Sequence, residues 1–268
     1  MSAKAVQKWI ATKVGDKYDV IQVSLLSTFA PESFRPALTQ AKKENVRAVL
    51  DMLAGRFVSP EKQRQLGNAN ALKPATPDDL VFIYVASHGF SDPHGNFFII
   101  PYNSGRFYTV TESKLSDCIT GKAKAPFCKD EKTFIANSIS SNELANWLQG
   151  VDAGRMYMLL DSCYAAAAPG SNFKPGPLGD RTFGQLAYDK RMTILTASQQ
   201  SALSILKLNG TLLSRTFTEL IEKNPEASLL YLLEETEYTV PQKYQTDFPN
   251  DNTGIQYPVL FDFSETEN

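Results

Sequence analysis

The chain is short of the residues on which several functions depend. Its 268 residues include only three cysteines and two histidines. Three cysteines in a chain this long do not make a disulfide scaffold, and the odd count suits plain thiols in a reducing compartment. Neither sign of charge dominates. The 27 Lys and Arg against 29 Asp and Glu leave a formal net charge of −2, so nothing argues for nucleic acid or an anionic membrane as a partner. No apolar run approaches the ~20 residues that span a bilayer. The opening stretch Met1 to Trp9 has no apolar core of signal-peptide length. Cys118 and Cys128 are separated by nine residues with no histidine nearby, whereas a metal site wants a tighter cluster. No Gly-rich phosphate loop is present, and the acidic residues show no calcium-loop spacing. These absences predict a cytoplasmic protein with no cofactor and no metal, bound to neither membrane nor nucleic acid.

What is there is ordinary globular material. Hydrophobic residues make up 43% and charged residues 21%, enough apolar content for one large domain. Residues 3–13 read as a short helix, and 18–26 have strand composition. Residues 36–53 carry Leu38, Ala41, Val46, Val49, Leu50 and Leu53 at helical spacing and meet a stop at Gly55. Residues 56–78 and 102–139 lack periodicity and read as irregular insertions. Ser140 followed by Glu143 has the form of a capping box, opening a helix that bears Leu144, Trp147 and Leu148. Residues 192–197 form another apolar strand, helices are expected near 212–223 and 226–237, and residues 258–261 close the chain. Strands alternating with helices predict an α/β fold, a mostly parallel sheet with helices on both faces. No internal repeat or linker divides the chain, so 1–268 reads as a single domain.

Two apolar runs organise the rest. Residues 80–86 (Leu-Val-Phe-Ile-Tyr-Val-Ala) deliver Ser87, His88 and Gly89, and residues 156–160 (Met-Tyr-Met-Leu-Leu) deliver Asp161, Ser162 and Cys163. In open α/β sheets, ligands bind outside the carboxyl ends of the strands, so a cysteine and a histidine at two such ends can do chemistry together. The thiolate is a nucleophile, and the imidazole both favours it and later protonates the leaving amine. Gly89 lets backbone N–H approach a substrate oxygen, and with the N–H of Cys163 it would form an oxyanion hole. A glycine needed only for a turn is the plain alternative. His94, in a Pro/Gly turn, reads as a surface residue.

These paired strand ends resemble the caspase-like cysteine peptidases, above all the metacaspase-like and other bacterial branches. Residues 173–177 and 184–190, the strand 194–198 and the closing Tyr257 to Phe263 fit the same resemblance, which runs from about residue 3 to about 263. It implies a three-layer caspase-like fold and a Cys163–His88 dyad cleaving protein or peptide substrates through an acyl-enzyme. It further implies that Asp161 binds a basic side chain before the scissile bond, favouring Arg or Lys at P1. Ser87 would lie against substrate, while Ser198 and Gln199 would lay substrate backbone along a strand edge. The residues flanking Cys163 are not those of the animal enzymes that cut after Asp.

One departure stands out. The family's domains begin with a central strand before the first helix, and this chain starts at about that helix. The strand is absent, or belongs to a longer polypeptide, or comes from another chain. This departure favours a first rival, a silent caspase-like scaffold completed or regulated by another chain. A second rival is an acyl-transfer or ligase enzyme using the same Cys163–His88 pair. Residues 165–190, rich in Ala, Gly and Pro, read as an exposed loop. With Lys174, Arg181 and Lys190 in it and Arg191 beyond, that loop is expected to suit self-processing.

Overall fold

The computed structural model describes residues 19–26, 39–91, 97–101, 104, 117–118, 122, 129–164, 181–197, 211–250 and 257–264. Within these, the side chains of Leu26, Thr39, Phe90, Ser91, Lys129, Asp130, Cys163, Tyr164 and residues 181–183 are not described.

The architecture is α/β, built on a mixed six-stranded sheet. Its strands are β3 (Leu80–Ser91), β4 (Phe97–Ile100), β5 (Ile139–Ser140), β6 (Arg155–Tyr164), β7 (Met192–Thr196) and β8 (Val259–Asp262), in the order β5-β4-β3-β6-β7-β8. β3, β6 and β7 are parallel, while β4, β5 and β8 run antiparallel to their neighbours, so the mostly parallel sheet expected is corrected to a mixed one with a parallel centre. A separate two-stranded parallel pair joins β1 (Leu25–Leu26) to β2 (Thr39–Gln40). The strand expected over 18–26 is thus regular only in its last two residues.

β6 is the buried centre, and its pleat sorts two cores. Met156, Met158 and Leu160 face one side, with Val81, Phe97, Ile99, Met192 and Ile194. Helices α4 (Ser141–Leu148) and α5 (Arg181–Asp189) cover that side through Leu144, Trp147, Leu148, Leu186 and Ala187. Tyr157 and Leu159 face the other side, with Phe82, Tyr84 and Leu195. There α6 (Leu212–Lys223) and α7 (Leu229–Asp247) supply Leu213, Phe217, Ile221, Leu232, Leu233 and Val240. Side chains alternate across a strand, so a run that is apolar at every position demands cover on both faces. β6 has such a run over residues 156–160.

Several elements differ from the sequence expectation for local reasons. The helix expected over 36–53 is α1, Lys43–Leu53, because Thr39 and Gln40 are extended against β1. Gly55 does end it, at φ +70°, a conformation glycine adopts without steric cost. The insertion 56–78 is not wholly irregular. Ser59 caps α2 (Pro60–Gln65), a 3₁₀ turn spans Gly67–Ala71, and Val58, Leu66 and Ala69 pack on Ala48 and Met52 of α1. The insertion 102–139 ends in α3, Lys129–Asn137, followed by β5. The capping box of α4 is present in both directions between Ser140 and Glu143, and Glu143 also pairs with Lys43 of α1 at 2.7 Å.

The exposed loop expected over 165–190 is corrected in its second part. Residues 181–189 form α5, and Leu186 and Ala187 are buried. Lys190 donates to the carbonyl of Val151 at 3.0 Å, and Arg191 sits in a tight turn at φ 50°. A cleavage site at Lys190 or Arg191 would therefore disrupt packed structure. Residues 165–180, with Lys174, lie outside the described residues, as does the helix expected over 3–13.

β3 and β6 are aligned at their bases. The N–H of Arg155 donates to the carbonyl of Asp79, and Gly154 lies so close to Pro77 that a Cβ on it would stand 1.9 Å from the Pro77 carbonyl oxygen. Only glycine fits there. Asp79 closes the preceding turn by accepting from the N–H and hydroxyl of Thr76 at 2.7 and 2.8 Å. From that base the ladder runs without a bulge from Leu80↔Arg155 to Gly89↔Tyr164.

Candidate active site

The unbroken ladder brings the two predicted strand ends together. His88 and Cys163 are Cα partners on adjacent parallel strands, which stand roughly 4.8 Å apart. Both strands continue past the apolar runs that predicted them. β3 reaches Ser91 because β4 returns antiparallel along residues 88–91, and β6 reaches Tyr164 because β3 accompanies it. His88 is therefore held from both sides, by β6 and by Ile100 of β4. Its ring is exposed.

The neighbours of His88 are fixed by the same ladders. Gly89 is buried and lies between Ile99 and Tyr164. The hydroxyl of Ser87 donates to the carbonyl of Ile100 at 2.6 Å, so it ties the hairpin together. Ser162, opposite Ser87 and next to Cys163, is 1% exposed, and its Oγ has no hydrogen-bond partner among the described residues.

Asp161 is the most heavily engaged of the predicted site residues. It is 3% exposed and pairs in register with Ala86. Its Oδ2 accepts from the hydroxyls of Thr211 and Ser214, at the N-terminus of α6. Thr211 also caps that helix, accepting from the N–H of Ser214 at 3.2 Å. The hydroxyls of Ser214 and Tyr84 meet at 2.6 Å. Burial pushes the Asp161 carboxyl up from its ordinary range, while the Ser214 and Thr211 donors pull it partly back. Tyr84, Thr211 and Ser214 were not singled out by sequence reasoning. Thr211 before an apolar helix is a capping signal, but nothing local says which strand that helix end will meet.

Ser198, Gln199 and His94 lie outside the described residues. Cys118 corrects the plain-thiol expectation, since it takes part in a disulfide whose partner sulfur is not among the described side chains. Pairing depends on how two Cβ atoms are placed, which neither an odd count nor a nine-residue spacing settles. A disulfide is favoured by oxidising surroundings, so cysteine usage no longer argues for a reducing compartment. Among the described residues, no three His, Cys, Asp or Glu converge as a metal site requires, and no helix is long and apolar enough to cross a membrane. An open groove of about 450 Å³, lined by Glu237, Tyr238, Pro241 and Tyr257, lies along α7 and before β8. β8 is two strands away from β6.

The arrangement offers a histidine and a cysteine in register at the carboxyl ends of the two central strands. Beside them stands a buried carboxylate held by the N-terminus of a helix. No family model matches the sequence, and no curated protein does.

Proposed function

We propose that the chain is a caspase-like cysteine endopeptidase cutting after Arg or Lys. The observation that supports this best is the register of His88 with Cys163 at the carboxyl ends of neighbouring parallel strands. The Cys163 thiolate attacks the scissile carbonyl carbon, forming the C–S bond and an oxyanion received by the N–H groups of Gly89 and Cys163. The protonated His88 gives its proton to the amine nitrogen as the C–N bond breaks, leaving an acyl-enzyme. His88 then takes a proton from water, the resulting hydroxide attacks the acyl carbon, and the thiolate departs with release of the new carboxyl terminus. Asp161 supplies the negative charge that a P1 guanidinium or ammonium seeks, with Ser87, Ser198 and Gln199 completing the substrate contacts.

Peptides with a fluorogenic leaving group and P1 Arg, Lys, Asp or Ala test this, with Cys163→Ala and Asp161→Ala alongside. Turnover of Arg or Lys peptides that vanishes in Cys163→Ala is the expected result. Turnover surviving in Cys163→Ala, or absent from the wild type with every peptide, would sink the reading.

A second reading has an observation of its own. Among the described residues, β4 pairs with β3 only along residues 88–91, and no strand is paired with residues 80–87 on that side. There Phe82, Ile83, Tyr84 and Val85 are only half-buried and Ala86 is exposed, although β6 beside them is fully buried over residues 156–160. A strand supplied by another chain would complete such an edge, and the protein would then serve as a silent caspase-like scaffold. Inactivity alone, joined by stable capture of a strand-donating partner at that edge, would favour it.

A further inference from the structure

We infer that Tyr84 and Ser214, together with Thr211, are the residues that set the preference for a basic P1 side chain, by fixing Oδ2 of Asp161 in one position. The inference rests on the cysteine-peptidase reading and deepens it.

The hydrogen-bond accounting leaves little freedom. A hydroxyl carries one proton. The Ser214 proton goes to Asp161 Oδ2, so its contact with Tyr84 must be donated by the Tyr84 O–H. The Thr211 proton also goes to Asp161 Oδ2, while its oxygen takes the Ser214 N–H. The result is a directed chain from Tyr84 through Ser214 to the carboxylate, braced by Thr211. It joins β3, β6 and the first turn of α6. Tyr84 packs with Phe82 against the apolar cluster that holds Leu159, Leu212 and Leu213, and Asp161 and Ser214 are 3% and 2% exposed.

A carboxylate in such surroundings keeps its charge only if donors replace the water it has lost. The N-terminus of α6 adds the favourable end of a helix dipole. Neither Tyr84 nor Ser214 would need to touch substrate; both are positioning residues. Removing either hydroxyl should weaken capture of a cation by Asp161 while leaving His88 and Cys163 undisturbed.

The test is steady-state kinetics on matched P1 Arg and P1 Ala peptides with wild type, Tyr84→Phe, Ser214→Ala and Ser214→Thr. Tyr84→Phe and Ser214→Ala are expected to lower the Arg/Ala ratio of kcat/KM about tenfold. The loss should fall on KM for the Arg peptide, with kcat retained, and Ser214→Thr should restore it. An unchanged ratio in both variants, or parallel loss on both peptides, would overturn the inference. So would an active wild type with no preference for Arg. A wild type that cleaves no peptide would instead overturn the parent reading, and the two failures are thereby distinct.

Discussion

His88 and Cys163 face each other across the β3–β6 ladder, each eight positions beyond the pair Leu80 and Arg155 with which the ladder begins. Their meeting at the top of the sheet is thus decided at its base, where Gly154 fits against Pro77 and Asp79 closes its turn on Thr76. The first prediction concerns the pair itself. His88→Ala should lower kcat/KM for an Arg peptide by about 10²–10⁴-fold, and Cys163→Ala should abolish turnover. Circular dichroism should show both variants folded; the His88 ring is exposed, and Cys163→Ala removes a single sulfur atom. Full activity in His88→Ala would exclude it as the acid/base.

Gly154→Ala tests the base of the ladder. A Cβ standing 1.9 Å from the backbone oxygen of Pro77 cannot be accommodated by rotating a side chain. The backbone at the foot of β6 must move. Destabilisation of about 1–3 kcal/mol is expected in urea unfolding, with loss of peptidase activity beyond what the fraction unfolded explains. A variant as stable and active as wild type would mean the two strands are aligned elsewhere.

Two aspartates should respond to pH with opposite sign. The Asp161 carboxyl is raised in the folded state, chiefly by burial, so its contribution to stability is full below the unfolded value near pH 4. That contribution is lost as pH rises through the folded value. The Asp79 carboxyl is lowered by the Thr76 N–H and hydroxyl. Its contribution is present above the unfolded value and fades as pH falls through the folded one. Relative to wild type, Asp161→Asn should therefore gain stability on going from about pH 4 to neutrality, while Asp79→Asn should lose it as pH rises from below about 4 to about 5. Thermal unfolding across both ranges gives the answer. Differences of the same sign for both variants would contradict the assignment.

Ser140→Ala removes one half of the capping box of α4. Loss of such a cap costs about 1 kcal/mol. Glu143 remains tied to Lys43 at 2.7 Å, so the helix should persist with a lowered midpoint rather than melt. Guanidinium unfolding followed by fluorescence of Trp147, on α4 itself, would report the change. An unaltered midpoint would show that tertiary packing alone holds this helix end.

Truncating the centre of β6 should be costly on either face. Leu159 and Leu160 are both 0% exposed and belong to different cores. Leu159→Ala and Leu160→Ala should each cost about 2–5 kcal/mol. Because the cavities open on opposite sides of the sheet, their effects should add nearly independently. A double variant with strong coupling would mean the sheet shifts as a whole.

What the sequence determined by itself is the set of local signals. The apolar runs of β3 and β6, the Ser140–Glu143 box, the stop at Gly55 and the span 212–223 of α6 all depend on neighbours within a turn or a strand. They could be read without knowing what packs against them. So could the alternation of strands with helices that implies an α/β sheet covered on both faces. Tertiary structure alone decided the rest. Residues 181–189 form a helix because Leu186 and Ala187 find a core some 40 residues away in sequence, at Leu144, Trp147 and Leu148. Cys118 is bonded because another sulfur comes within reach, which a count of cysteines cannot foresee. Asp161 looks, from its neighbours, like a strand-end carboxylate open to substrate. Its burial and its hydroxyl donors come from a helix some 50 residues further on. The meeting of residues 88 and 163 likewise required a register, and register is the sum of many distant contacts rather than a property of any one segment.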